Sequence, residues 1–156
     1  MPIQLTLQTA IGTIYIAQEA DAIIRISFRN LQYPEQQTLL LLAAKQQLNA
    51  YFQGQQQSFS LPLKPKGTPF QQKVWQALQA IPYGQTRTYA QIAAEIGSPK
   101  ACRAVGMANH HNPIDIVIPC HRVVGSNGAL TGYADGLERK QFLLELERNC
   151  GVMRKR

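Results

Sequence analysis

The chain has 156 residues, a formal net charge of +7 and 45% hydrophobic residues, which is enough apolar material to bury a core without covalent staples. Three cysteines without paired spacing, no secretory pattern and no apolar run near about 20 residues exclude a disulfide framework and a membrane span, and a reducing cytoplasm is expected. The charge is uneven: residues 1–62 hold three cations and three acids, 63–156 thirteen cations and six acids, so a polyanionic partner competes with a merely solvated basic surface.

In chain order, Gln4 to Leu7, Thr13 to Ala17 and Ile23 to Phe28 are short β-branched segments separated by Gly12 and by Glu19-Ala20-Asp21, which predicts an antiparallel meander. The period then changes. Leu39 to Leu42, Ala43, Leu48 and Tyr51 predict a helix over about 36–52 that stops near Gly54, and Ser58 to Leu63 is a further candidate strand. Twelve glutamines precede residue 61, and this half offers no group suited to be a nucleophile or base, so a scaffold role is expected.

Two prolines and a glycine in Lys64-Pro65-Lys66-Gly67 predict a linker at 64–68 between a domain at 1–63 and a second at 69–156. Thr68-Pro69-Phe70-Gln71 has capping-box spacing with Pro at the first helical position, predicting a helix over 70–81 with Val74, Trp75 and Leu78 inward. Thr88 to Gln91 repeats the pattern for a helix through Ile96, and Gly97 supplies a left-handed stop. Another helix, from about Pro99 to His110, has Ala101, Ala104, Val105 and Ala108 on one face and Lys100, Arg103, Met107 and His110 on the other. The pair has the form of a helix-turn-helix, whose second helix normally meets DNA. Asp135-Gly136-Leu137-Glu138 opens a last helix to about Asn149, with Leu137, Leu143, Leu144 and Leu146 as core candidates, followed by a solvated Arg154-Lys155-Arg156 tail. The fold class expected is α+β: a small N-terminal sheet-and-helix domain and a mainly helical, winged-helix-like C-terminal domain.

The chemistry concentrates in Ile116 to Gly125, IVIPCHRVVG. Its branched apolar run predicts a short buried strand, which Pro119 ends because it cannot donate to a ladder. Cys120 then falls on the bend beside His121 and Arg122. A thiol becomes a nucleophile when ionised, and an imidazole or a cation lowers its pKa enough for that. A buried Cys next to a chance His is the plain alternative.

The string PCHRV within IVIPCHRVVG, with Asn112-Pro113 upstream, resembles the active-site signature of the O6-alkylguanine-DNA alkyltransferases, and the resemblance extends over roughly Thr68 to Glu147. It implies direct-reversal DNA repair. The alkyl group on O6 of guanine, and also on O4 of thymine, passes once and irreversibly to Cys120, without a cofactor. It further implies that His121 takes the thiol proton through a water, that Glu147 orients His121, and that Lys140 favours the thiolate. From the helical pattern alone, Glu145 and Glu147 cannot both face the core, and the residues leave the choice between them open.

An alkyltransferase must rotate its target nucleotide out of the stack. By resemblance Arg103 fills the gap, Tyr89 presses on the adjacent phosphate and binds the flipped guanine, and Asn112 braces the turn before the active-site strand. Lys100 and Met107 join Arg103 at the DNA, approached through the minor groove. Val123, Tyr133 and Ala134 form the pocket, although Ala134 stands where a Ser can occur and Asp115 where a Pro can occur, which bears on the size of the alkyl group accepted. The expected partner is double-stranded DNA carrying alkylated bases, bound by a monomer, with no membrane involved. No metal is expected: the structural zinc that some members of the family hold in the N-terminal domain has no ligands here, since residues 1–62 contain neither Cys nor His. Cys102 reads as buried ballast and Cys150 as an exposed thiol after the last helix. A helix-turn-helix regulator with a structural Cys120, a Cys-His hydrolase and a lesion binder that lacks transfer are the competing readings. The hydrolase lacks an evident oxyanion element, and the lesion binders lack the acceptor Cys.

Overall fold

The structure is a computed structural model that describes residues 1–154, with side chains up to Cys150; the expected tail at Lys155 and Arg156 lies outside the described residues. The chain divides into two compact units, residues 1–66 with 113–115, and residues 67–112 with 116–156.

In the first unit, β1 (Ile3–Thr9), β2 (Gly12–Glu19) and β3 (Ala22–Ser27) form the antiparallel meander in the order β1-β2-β3. Alternation along the strands sends Leu5, Leu7, Ile14, Ile16 and Ile26 into the core. Helix α1 (Leu39–Phe52) starts where the Thr38 hydroxyl accepts from the Leu41 amide, and packs against β1 and β2 with Leu41, Ala44, Leu48 and Tyr51. Each of its large buried side chains stabilises the unit by about 1.5–3 kcal/mol.

The expected strand at 58–63 shrinks to a single bridge, in which Ile23 donates to Pro62 O and Lys64 donates to Ile23 O. Pro62 has no N–H to extend the ladder. A second short segment completes the same edge of β3: Ile26 donates to Pro113 O, and Asp115 donates to Ile26 O.

The second unit is mainly helical. Helix α2 (Pro69–Gln79) and helix α3 (Tyr89–Glu95) both begin with the full capping box, Thr68 with Gln71 and Thr88 with Gln91. Val74, Trp75 and Leu78 are buried, and the Trp75 indole donates to Ala108 O at 2.8 Å. A Cβ on Gly67 would run into that indole, so glycine is required where the chain enters α2. Gly97 has φ +77° and ends α3 in the left-handed conformation.

Helix α4 (Cys102–His110) starts later than expected, because Pro99 and Lys100 form a turn closed by Ala101 N donating to Ser98 O, and no side chain caps Ala101. Its inward residues are Val105, Ala108 and Asn109, an i, i+3, i+4 stripe that passes to one side of Ala104; Ala104 and Cys102 are exposed, contrary to expectation. Helices α3 and α4 pack together as the helix-turn-helix.

The expected strand at 116–118 is absent. Ile116 sits in a turn at φ +71°, and the apolar run instead buries Ile116 and Ile118 from irregular backbone. Burial, which both conformations satisfy, was the cause of that pattern. A 3-10 turn at Cys120–Arg122 follows, then β5 (Val123–Val124), parallel to β4 (Arg87–Thr88). Helix α5 (Leu137–Arg154) is longer than expected, so Cys150 lies within it and is half-buried, while Leu137 at its start is exposed.

Candidate active site

Cys120 lies on a turn that is tied down at four points. Its own amide donates to Ile118 O, the Arg122 amide to Pro119 O, the Asn109 side-chain amide to Cys120 O, and the Asn112 side-chain amide to Ile118 O at 2.7 Å. Downstream, the β4-β5 ladder anchors Val123 to Arg87. The thiol-bearing residue is thus held by backbone geometry and is only 4% exposed.

Helix α5 supplies the charged partners. Lys140, Leu143, Leu144 and Glu147 follow the i, i+3, i+4, i+7 spacing of one helix face, and all four are buried. Glu145 faces out and accepts from Gln141. The Glu147 carboxylate receives donors on both oxygens: Oε2 accepts from His121 Nε2 at 2.6 Å and from Arg122 Nη2 at 3.0 Å, and Oε1 from Arg122 Nε at 2.8 Å and the Gly84 amide at 3.3 Å.

Burial pushes His121 below the ordinary imidazole value, against the opposing pull of Glu147. Burial alone would raise the Glu147 carboxyl, but its bonds from His121 and Arg122 outweigh that and hold it well below the usual carboxylate range. The resting site therefore pairs a neutral imidazole with an ionised carboxylate. Since Nε2 donates to the carboxylate, Nδ1 is the bare nitrogen, and it is buried with no hydrogen-bonding protein partner among the described residues.

Lys140 is fully buried, and its ammonium donates to three carbonyls, Val123 O at 2.6 Å, Thr131 O at 3.0 Å and Gly132 O at 3.2 Å. Burial brings it down to about 8, opposed by the charge of Cys120. These bonds gather both ends of the 123–132 loop around one charge. The Tyr89 hydroxyl donates to Thr131 O as well, so the first residue of α3 and a lysine of α5 hold the same carbonyl.

Of the pocket candidates, Val123 is buried with one lone pair of its carbonyl already used by Lys140, Tyr133 is half-buried and Ala134 is exposed. Arg103, Met107 and His110 share the exposed face of α4, with Lys100 exposed in the turn before it. A cavity of about 350 Å³ is lined by Gly84, Thr86, Val124, Leu144 and Glu147 among others, but by none of Cys120, Tyr133 or Ala134.

Sequence reasoning gave Arg122 no role beyond general positive charge near the thiol. It is buried, turned toward Glu147, and its third bond goes to Ile81 O at 2.8 Å. The available signal was its position inside an apolar run, since a buried guanidinium demands an acidic partner.

Comparison with known protein families matches residues 69–149 to "6-O-methylguanine DNA methyltransferase, DNA binding domain" and residues 4–65 to "6-O-methylguanine DNA methyltransferase, ribonuclease-like domain". The constitutive methylated-DNA–protein-cysteine methyltransferase of Bacillus subtilis (strain 168) is 53% identical over 156 residues, covering 92% of this chain and 93% of that protein. The methylated-DNA–protein-cysteine methyltransferase of Methanosarcina acetivorans is 48% identical over 150 residues, covering 92% and 96%. Among solved structures, Mycobacterium tuberculosis OGT in complex with DNA is similar with a TM-score of 0.89 at 43% identity, over 95% of this chain and 94% of that one.

Proposed function

The chain belongs to the 6-O-methylguanine DNA methyltransferase family, and from that premise we propose that Cys120 is its nucleophile and permanent alkyl acceptor. The activity is DNA repair by transfer of an alkyl group from methylated DNA to a cysteine of the protein. The observation that carries the assignment of Cys120 is the buried chain of groups beside it, a neutral His121 fixed by Glu147 at 2.6 Å with Nδ1 left bare.

His121 Nδ1 takes the thiol proton through a water, and Lys140 stabilises the thiolate that remains. The sulfur lone pair then forms a bond to the methyl carbon while the bond from carbon to O6 breaks, its electrons going to the guanine. A proton returned to the ring leaves ordinary guanine and a methyl thioether. A thioether is not hydrolysed, so each molecule acts once and needs no cofactor. The same attack suits O4-methylthymine.

Delivery of the base falls to the helix-turn-helix. Arg103, on the open face of α4, occupies the gap left by the flipped nucleotide, while Lys100 and Met107 lie along the strand beside it. Tyr89 presses on the neighbouring phosphate and binds the guanine; Asn112 braces the reactive turn through Ile118 O. Val123, Tyr133 and Ala134 line the pocket. The partner is duplex DNA containing alkylated bases, bound by a cytoplasmic monomer. No helix among the described residues is long and apolar enough to cross a membrane.

The test is a mass measurement. Incubation with a duplex carrying O6-methylguanine should add one methyl to the peptide containing Cys120, and a methyl on Cys102 or Cys150 would overturn the assignment. A purely regulatory helix-turn-helix protein would take no methyl at all.

A further inference from the structure

Arg122 takes no part in the steps above, yet its buried guanidinium makes two bonds to Glu147 and a third to Ile81 O, and its carbon lies 5.7 Å from the centre of the Tyr83 ring. With the Gly84 amide and His121 it fills the acceptor sites of both carboxylate oxygens, so Glu147 has neither room nor reason to rotate. We propose that Arg122 is a positioning residue for the transfer: it pins Glu147 and supplies the counter-charge that leaves His121 uncharged until Cys120 gives up its proton. This rests on the roles given above to Cys120, His121 and Glu147.

The charges around Glu147 explain why. At rest the set comprises a thiol, an imidazole, a carboxylate and a guanidinium, and is neutral. After the proton has moved it comprises a thiolate, an imidazolium, a carboxylate and a guanidinium, and is neutral again. Without the guanidinium, the resting set would carry a buried negative charge, which a proton on His121 would discharge. His121 would then enter the reaction already protonated, unable to accept from Cys120.

Among the described residues, the neighbours that bear on this balance come from α5, α2 and α4. From α5, Lys140 opposes the imidazolium less than Arg122 does, its own charge being held by three carbonyls. Cys150 faces the Tyr83 hydroxyl, which burial pushes up and so keeps neutral. The titratable side chain of α2, Lys73, is exposed, and α4 presents a neutral amide, Asn109, to the Cys120 carbonyl.

The experiment follows the three histidines of the intact protein by imidazole NMR, with the exposed His110 and His111 as internal references, alongside the single-turnover transfer rate from pH 5 to 9. Arg122→Gln keeps donors but removes the charge. It should move the His121 titration up by about one pH unit or more, slow transfer about tenfold at neutral pH, and recover rate as the pH rises. Arg122→Lys keeps the charge without the fork, and should leave the His121 titration near wild type while slowing transfer.

Superimposable His121 titrations in wild type and a folded Arg122→Gln, or a rate loss equal at every pH, would overturn the proposal. Should Arg122→Gln fail to fold, an upward shift of one pH unit in Arg122→Lys would overturn it too, and an unshifted titration would support it. If wild-type Cys120 took no methyl, or His121→Asn transferred as fast as wild type, the site assignment itself would fail, and the NMR titration would still report on Arg122.

Discussion

Replacing Glu147 with Gln tests how far the carboxylate organises the site. The side chain is 1% exposed and accepts four hydrogen bonds, three of them from His121 and Arg122. Gln preserves the shape but carries one acceptor oxygen and an NH₂ that meets donors, and it leaves the Arg122 guanidinium buried without its counter-ion. Breaking one partner of such a pair costs about 3–5 kcal/mol, much of it the stranded charge. Trp75, the only tryptophan and fully packed in the second unit, reports unfolding there by fluorescence. With a urea slope of about 1–3 kcal/mol per molar, the midpoint should fall by roughly 2 M. Adding Arg122→Leu to Glu147→Gln removes the stranded charge, so the double variant should lose less than the sum of the singles, with a coupling of about 2 kcal/mol. Because the carboxyl of Glu147 is held below its unfolded value, its contribution is complete above that unfolded value and fades as the pH falls through the folded one. The deficit of Glu147→Gln should therefore be constant from about pH 5 to 8 and shrink below about pH 4. Strictly additive losses, or a deficit under about 1 kcal/mol, would refute the reasoning.

Lys140→Met removes a charge whose burial is costly and three bonds that offset the cost, so the melting temperature should change by only a few degrees while the transfer rate falls about tenfold or more; thermal melts and single-turnover kinetics would separate the two. In the wild type, the Lys140 charge is present below its value of about 8 and lost above it, so its help to the thiolate should fade as the pH rises past 8, which a comparison of wild-type and Lys140→Met rate profiles would measure. Asn112→Ala deletes the 2.7 Å bond to Ile118 O and should cost about 1–2 kcal/mol in urea unfolding, with slower transfer because the Cys120 turn is less confined. Arg103→Ala should slow repair within a duplex far more than transfer from the free O6-methylguanine base; equal losses on the two substrates would remove it from nucleotide flipping.

The capped helices were legible in the sequence because their signals are local. Thr68 and Thr88 form the bonds that the spacing of Gln71 and Gln91 announces, and Gly97 takes the left-handed turn only glycine adopts readily. The meander followed for the same reason, from β-branched segments broken by Gly12 and by Glu19-Ala20-Asp21. Apolar runs were less informative. Ile116 to Ile118 looked like a strand and is a buried turn, while Leu137 and Ala104 looked like core and face outward. Hydrophobicity records that a residue is wanted inside, and burial can be met by several backbone shapes.

The choice of Glu147 over Glu145 was within reach of the sequence, since Lys140, Leu143, Leu144 and Glu147 share one helical face, although it was left open on pattern alone. The PCHRV string by itself singled out the sulfur that we propose reacts and the imidazole next to it. That Arg122 turns to Glu147, that Lys140 gathers three carbonyls, and that Nδ1 is the nitrogen left bare were decided only by tertiary structure. Glu147 and Arg122 are 25 positions apart, and the sign and strength of a charge in a protein depend on what surrounds it in space, which no local spacing specifies.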